Sequence, residues 1–425
     1  MKPDVVVAGA GAGGLASARA LGALGMAVLV LDRRGAPATV AKGEILQPET
    51  VRILDRWGAL EALRATGARP VSRLAIRDHE GQPLLSLDYG LLPGPYRQIL
   101  CADYTGLQGA LADGLAAGVT IRRGVRVTGV LRDDRGRMAG VQVTGDGADS
   151  EIRATLVIAA DGMSSRLRKA AGVAVARREY PHRLLAFDVA GAEVADEVSA
   201  FRTARGLCLV YPLPGGRCRL YVQVKPDEFR AGGMTALTGW CDRLLADVPA
   251  IRPLETAVRA SLNRHQLLAV YRLRAQRLSV PGLALVGESA HAVHPMAAQG
   301  VNSSLADAEA IADAIAAEPG GAEAAAVDRA LAAYQAARAP RLDHIAIVSH
   351  NASRMITSVS GLPKLLGARM MRGTAGNPRL LRITAGNLSG VSVQPLSLRD
   401  RFYQMGLLTD RQAHAAAAPD LSEAR

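Results

Sequence analysis

The chain has 425 residues, 49% of them apolar and only 4% aromatic. This length suggests two joined domains around a mainly aliphatic core. The net charge is +12, but only five of the 51 basic residues are Lys and no dense basic run carries interleaved aromatics, so nucleic acid is not the expected partner.

Residues 5–31 are nearly all apolar or glycine, Arg19 excepted. Hydropathy alone would suggest a membrane span. Internal punctuation argues otherwise. Residues 5–7 read as a strand, 9–14 as a turn, 15–24 as a helix and 27–31 as a second strand closed by Asp32. Gly9-Ala10-Gly11-Ala12-Gly13-Gly14 satisfies G-x-G-x-x-G, with the acid about 20 residues further on. Gly9 permits a tight turn, and Gly11 lets the backbone approach a pyrophosphate. Gly14 lets helix and strand pack closely, while Asp32 accepts hydrogen bonds from an adenosine ribose. Dinucleotide binding is the expectation.

A loop at 33–41 precedes a helix over 48–57, with Val51, Ile53, Leu54 and Trp57 on one face. Residues 71–89 alternate as strands, 104–117 read as a helix, and 120–130 and 140–143 as strands. Residues 152–160 form a buried strand running into Asp161-Gly162. Strands follow at 184–189, 207–213 and 219–224, then a helix at 235–247. Tyr211 and Tyr221 fall on these strands. Either could line a substrate pocket or be an ordinary packed tyrosine. The turn Pro214-Gly215-Gly216 would pair residue 208 with about residue 222, so Cys208 and Cys218 need not face one another.

Residues 283–286 form a strand leading to Gly287 and Glu288. A small-residue loop runs from Pro295 to Gly300. Asn302, Ser303 and Ser304 then open a helix with Leu305, Ala308, Ile311, Ala312 and Ile315 at helical spacing. Strand, acid, loop and helix start suit a hydroxylated anionic ligand whose far end meets a helix N-terminus. Residues 328–372 read as helical, with a stripe of Leu362, Leu365, Leu366, Met370 and Met371 for packing or dimer formation. Residues 376–396 are rich in Gly, Pro, Ser and Asn. Residues 413–425 read as a low-complexity, disordered tail.

Cys101, Cys208, Cys218 and Cys241 lack C-x-x-C spacing. With no leader before the first strand and no later bilayer-length apolar segment, a cytoplasmic protein with reduced thiols is expected. His294 is the nearest histidine to the Pro295 loop and a candidate general base. Its bland reading is a loop histidine bonded to backbone. His182 and His265 are weaker candidates, and His291 reads as structural. His291-x-x-His294 lacks a third ligand, so no metal is expected.

Three elements stand in order: Gly9–Gly14, then Asp161-Gly162-Met163-Ser164-Ser165-Arg166-Leu167-Arg168, then the stretch from Gly287 to Asn302. Over roughly residues 1–345 the chain resembles the group A flavoprotein monooxygenases, the para-hydroxybenzoate hydroxylase-like family. The resemblance implies an α/β fold with a Rossmann-like FAD-binding domain, an inserted mixed-sheet substrate domain and C-terminal helices. Its implied divisions are 1–70, 95–175 and 275–330 for FAD, 71–94 and 176–274 for substrate, and 331–412 for the helical C-terminal region.

The resemblance also implies roles. Gly9, Gly11, Gly13, Gly14, Asp32 and Arg33 would hold the FAD adenosine and pyrophosphate. Lys42 stands where the family often has Arg. Asp161 matches an acid tied to FAD placement and NAD(P)H use, and Glu288 one at the ribityl or pyrophosphate region. Ala298, Gln299, Gly300, Val301 and Asn302 match the loop and helix start beside the flavin, where N–H groups stabilise reduced flavin. Gln98 and Tyr104 are weak cofactor candidates. His294, Pro295 and Asn302 are the catalytic candidates. Three positions depart from the pattern: Glu288 for Asp, Ala298 for Gly and Tyr104 for Arg.

The implied activity uses NAD(P)H and O2. A flavin hydroperoxide passes one oxygen to an aromatic, polyketide-like or quinone-like small molecule. The competing readings are a flavin oxidase or reductase on the same fold, and a weakly catalytic FAD-holding scaffold. A monomer or homodimer is expected, without an integral membrane segment.

Overall fold

A computed structural model of the protein describes residues 2–145, 148–228 and 233–414. The expected disordered tail lies outside the described residues from position 415 onward. Two sheets organise the chain. The first has six strands in the order Ser279–Val280, Leu283–Leu285, Leu156–Ala159, Val5–Ala8, Val28–Asp32, Val119–Arg123. All its pairings are parallel except the Ser279–Val280 edge. Val5–Ala8 is a central strand buried on both faces, which is why it reads as an unbroken apolar run rather than an alternating one.

The Ala12–Ala23 helix packs on this sheet and on the Gly300–Ala317 helix. Glycine permits the first contact. A Cβ on Gly14 would drive into the Gly9 carbonyl, and Gly9 itself turns with φ +107°. The apolar run at 5–31 is thus a strand, a helix and a second strand. No described helix is long and apolar enough to cross a membrane.

The second sheet has eight strands. Their order is His291–Ala292, His265–Ala275, Val175–Ala190, Arg217–Val224, Gly206–Leu213, Val198–Thr203, Arg73–Asp78, Pro83–Asp88. Period-two alternation splits its side chains between two cores. Leu185, Phe187 and Val189 face Trp240 and Leu244 of the Gly233–Asp247 helix. Leu184, Ala186, Leu209 and Tyr211 face the other way, toward Met296 and the C-terminal helices. In the hairpin Cys208 opposes Val222 and Cys218 opposes Pro212. All four cysteines are free and buried.

Several elements differ from expectation. Residues 152–160 form two strands, not one. Ala148–Arg153 pairs with Met138–Gly145, while Leu156–Ala159 enters the large parallel sheet. Ala154 and Thr155 carry the chain between them, bonding to Ala139 and Asp4. The helix expected over 104–117 stops at Ala112, just before Gly114 at φ +60°. The strand over 120–130 breaks at Gly124, φ +77°. The helical stretch 328–372 is two helices, Ala324–Thr357 and Gly361–Ala375.

The Gly- and Pro-rich segment 376–396 contains a helix, Pro378–Ser389. Its composition hides good helix punctuation. The Asn377 side chain accepts from Leu380 N, Pro378 occupies the first turn, and Gly390 ends the helix at φ +80°.

Candidate active site

A cleft of about 370 Å³ separates the two sheets. Its floor is the C-terminal edge of the parallel sheet, where α/β folds bind ligands. Leu31 and Asp32 close one strand there, Ala160 and Asp161 follow another, and Val286, Gly287 and Glu288 follow a third. Gly9, Gly11 and Gly13 line it from the first turn. Gly14 stays behind them, packed on Gly9, and is not in the lining.

Asp32 is buried at the cleft edge. Its Oδ2 accepts from Ala10 N and its Oδ1 from Arg34 N, each at 2.8 Å. Each oxygen keeps capacity for a further donor. Arg33 lines the same end. Asp161 Oδ2 accepts from Arg166 N at 2.8 Å, which shapes the loop after its strand. Tyr104, placed where the family favours Arg, accepts from Ala12 N through its hydroxyl at 3.2 Å. Gln108 Nε2 donates to Ala10 O at 2.9 Å. Neither hydroxyl nor amide brings the positive charge an Arg would.

Two helix N-termini open on the cleft. The Ala12–Ala23 and Gly300–Ala317 helices have no acidic residue in the first turn and no side-chain cap. Their unneutralised dipoles suit anionic groups. A Cβ on Gly11 would find only the Tyr104 hydroxyl, at 3.4 Å, and one on Gly300 would find open space. The two open helix starts therefore suit a dinucleotide with its anionic groups.

Lys42 and Glu288 form an ion pair at 2.9 Å across the cleft wall, both partly exposed. Burial would lower the Lys42 pKa, but the Glu288 carboxylate outweighs it and raises it. Such pairs contribute about 0–1 kcal/mol. Glu288→Asp keeps the carboxylate and its charge and is expected to retain FAD, with affinity changed less than about 5-fold. Equilibrium dialysis checks this. A large loss of cofactor would mean that the loop is built around the longer acid.

The loop before the second helix carries a local strain. Ala298 has φ +50° and ψ 37°, a left-handed conformation that costs a β-carbon residue about 1 kcal/mol. Its carbonyl accepts from Asn302 Nδ2. The same amide donates to Ile45 O at 3.1 Å, and Asn302 Oδ1 accepts from Gln47 N at 2.8 Å. Ala298→Gly relieves the conformation and is expected to raise stability by up to ~1 kcal/mol, less the unfolded-state entropy of glycine. Urea unfolding of the two proteins measures it.

Pro295, Ala298, Gly300 and Val301 line the cleft, but Asn302, Gln299, Gln98 and His294 do not. Asn302 is turned inward to tie the helix start to residues 45–47. Gln299 donates through Nε2 to Leu388 O at 2.7 Å, facing the C-terminal helices. Gln98 precedes the Ile99–Cys101 strand and stands off the cleft wall.

His294 is fully buried behind the Pro295 loop and corrects the idea of a base facing the flavin. Its Nδ1 accepts from Met296 N at 3.1 Å, so its proton sits on Nε2, 2.9 Å from His182 Nε2. Burial, with His182 and His350 nearby, pushes its pKa well below the usual value. Burial lowers His182 to about 4. Both rings are neutral struts at neutral pH. His265 bonds through Nδ1 to Leu262 O, away from the cleft.

Two networks were not foreseen as units. Asp307 is fully buried and joins His291 Nε2 at 2.6 Å, Arg338 Nε at 2.9 Å and Gly287 N at 3.1 Å. Burial would raise its pKa, but His291 and Arg338 outweigh that and hold it low. The other network sits in the cleft wall. Glu44 takes Arg219 bidentately, Nη2 at 2.6 Å and Nε at 2.9 Å, and accepts from Tyr211 OH at 2.8 Å. Tyr221 OH donates to Ala41 O at 2.6 Å. Tyr211 and Tyr221 both line the cleft. No periodicity links Glu44 to an arginine 175 positions away. Its place beside Gly43 in the segment after Lys42 was the one available signal.

This cleft, floored by a glycine turn and Asp32 and roofed by a second sheet, has the form of a dinucleotide-binding α/β site. The family model described as FAD binding domain matches residues 2–347, and the chain belongs to that family, the para-hydroxybenzoate hydroxylase-like FAD-dependent monooxygenases. It is 31% identical over 310 residues to a 6-methylpretetramide 4-monooxygenase of Streptomyces rimosus, covering 72% of this chain and 73% of the relative. It is 29% identical to a phenazine 1,6-dicarboxylic acid hydroxylase of Lysobacter antibioticus, covering 73% and 81%. The crystal structure of P. aeruginosa PqsL with 2-aminobenzoylacetate superposes with a TM-score of 0.75 at 27% identity, covering 84% of this chain and 98% of that one.

Proposed function

We propose that the protein uses NAD(P)H and O2 to hydroxylate an aromatic, polyketide-like or quinone-like ring held between the helix start at Gly300 and the larger sheet. The supporting observation is the continuity of the cleft. It runs from the ribose-binding end at Asp32 to the apolar side chains Leu184, Leu207, Leu209 and Leu268. Cofactor and substrate would lie end to end.

Gly9, Gly11 and Gly13 would admit the diphosphate, Asp32 the ribose hydroxyls, and Lys42 and Glu288 the linker between diphosphate and ring. Asp161 would fix the loop facing the cofactor. Bound FAD supplies the two-electron and oxygen chemistry. The chain's own task is to position, to exclude water and to place N–H dipoles from Gly300 and Val301 against developing negative charge. Pro295 and Met296 close the substrate end. Asn302 and His294 act through the loop they hold rather than by touching substrate.

The part of the larger sheet built from residues 73–88 and 175–275 would be the substrate-binding unit. Four buried, unpaired thiols suit a reducing, cytoplasmic setting. The test is NAD(P)H oxidation across phenolic compounds under labelled O2. One labelled oxygen in the product supports hydroxylation. Turnover without labelled product would mark an oxidase or reductase, and bound FAD without turnover a scaffold.

A further inference from the structure

We infer that the substrate end of this cleft selects an uncharged ring bearing hydroxyl donors and rejects carboxylates; this rests on the cleft being the substrate site. Cations are present in the lining, but they stand elsewhere. Arg33 and Arg34 follow Asp32, and Arg126 follows Val125, whose N–H bonds to Asp32 O. These belong to the dinucleotide end. Lys42 is paired with Glu288.

On the sheet side the lining is Leu184, Leu207, Leu209 and Leu268, with Tyr211, Tyr221 and Glu44 as its polar members. The Arg219 guanidinium on this side is buried and already held by both Glu44 oxygens. Glu44 stands in the lining and Arg219 does not. The acid of this pair, 2% exposed, therefore belongs to the wall that faces an incoming ligand, and the cation lies outside that wall.

The two phenol protons are also committed. Tyr211 OH donates to Glu44 and Tyr221 OH donates to Ala41 O. What these three side chains still offer is acceptor lone pairs. A neutral hydroxyarene can donate into them. A carboxylate would find no donor among them, because Glu44 already holds the Arg219 guanidinium, and it would lose its hydration without compensation. Apolar walls add affinity for the ring but nothing for the charge.

The test titrates FAD-loaded enzyme with three matched probes, reading the change in flavin absorbance. They are 2-naphthol, 6-hydroxy-2-naphthoate and the methyl ester of that acid. Naphthol and ester should bind, and the acid roughly 100-fold more weakly or worse. Acid binding close to the ester overturns the inference. An ester as weak as the acid also overturns it, because shape rather than charge would then decide. If none of the three perturbs the flavin, the cleft is not the substrate site and the functional reading itself fails. Glu44→Gln should uncover Arg219 and bring the acid at least about 10-fold closer to the ester. A folded, FAD-loaded variant without that gain overturns the role given to Glu44. If the variant does not fold, the three probes on the unaltered enzyme decide alone.

Discussion

Replacing Gly11 by Val is expected to leave a folded chain that no longer retains FAD. The residue caps the N-terminus of the Ala12–Ala23 helix with φ −78°, an ordinary conformation for any side chain. The first added carbon meets only the Tyr104 hydroxyl, at 3.4 Å. The backbone is therefore not strained by the change. The isopropyl group enters the cleft instead, where a diphosphate must approach the helix N–H groups. Losing that approach removes the dipole and hydrogen-bond contribution together. A fall of roughly 100-fold or more in FAD affinity follows, equivalent to ~2.7 kcal/mol. Colourless protein with an unchanged far-ultraviolet spectrum is the expected result. Full yellow colour after gel filtration would contradict the assignment.

Asp307→Asn should strike stability rather than binding. Asp307 joins the Gly300–Ala317 helix to His291, to Arg338 of the Ala324–Thr357 helix and to the Gly287 turn. Removing one member of a buried ion pair strands the other, which costs about 3–5 kcal/mol. Urea unfolding at neutral pH reads this directly. The pH dependence has a definite sign. The folded-state pKa of Asp307 is lowered, so its stabilisation is fully present above the ordinary carboxylate value of about 3.9. It is lost as pH falls through the lowered folded value. The Asn variant should lack that acidic component. A midpoint within experimental error of the unaltered protein would remove Asp307 from its structural role.

Local signals made much of the architecture legible. The glycine turn, Asp32 and the strand leading to Gly287 are each encoded within a short window. They fall together because parallel strands deliver their C-terminal ends to one edge. What the sequence concealed is pairing across distance. Glu44 with Arg219, Asp307 with Arg338 and His182 with His294 meet only after the chain has folded. His294 shows the cost of reading proximity along the chain. It adjoins Pro295, yet the backbone turns its ring inward, where Met296 N and His182 take both nitrogens. The helix at Pro378–Ser389 was hidden for another reason. Arg379, Leu380, Leu381, Arg382, Ala385 and Leu388 favour a helix, but Thr384, Gly386, Asn387 and the Gly, Pro and Ser around them mask that signal.

The eight-stranded sheet does not end where the cleft-lining strands end. Leu273 pairs with Ala292 and Arg274 with His291, three residues beyond Glu288. The cleft wall that carries Tyr211 and Tyr221 and the turn that carries Glu288 are thus stitched into a single ribbon. A bulky occupant that spreads the strands would tug on the turn through this seam, with no separate messenger required.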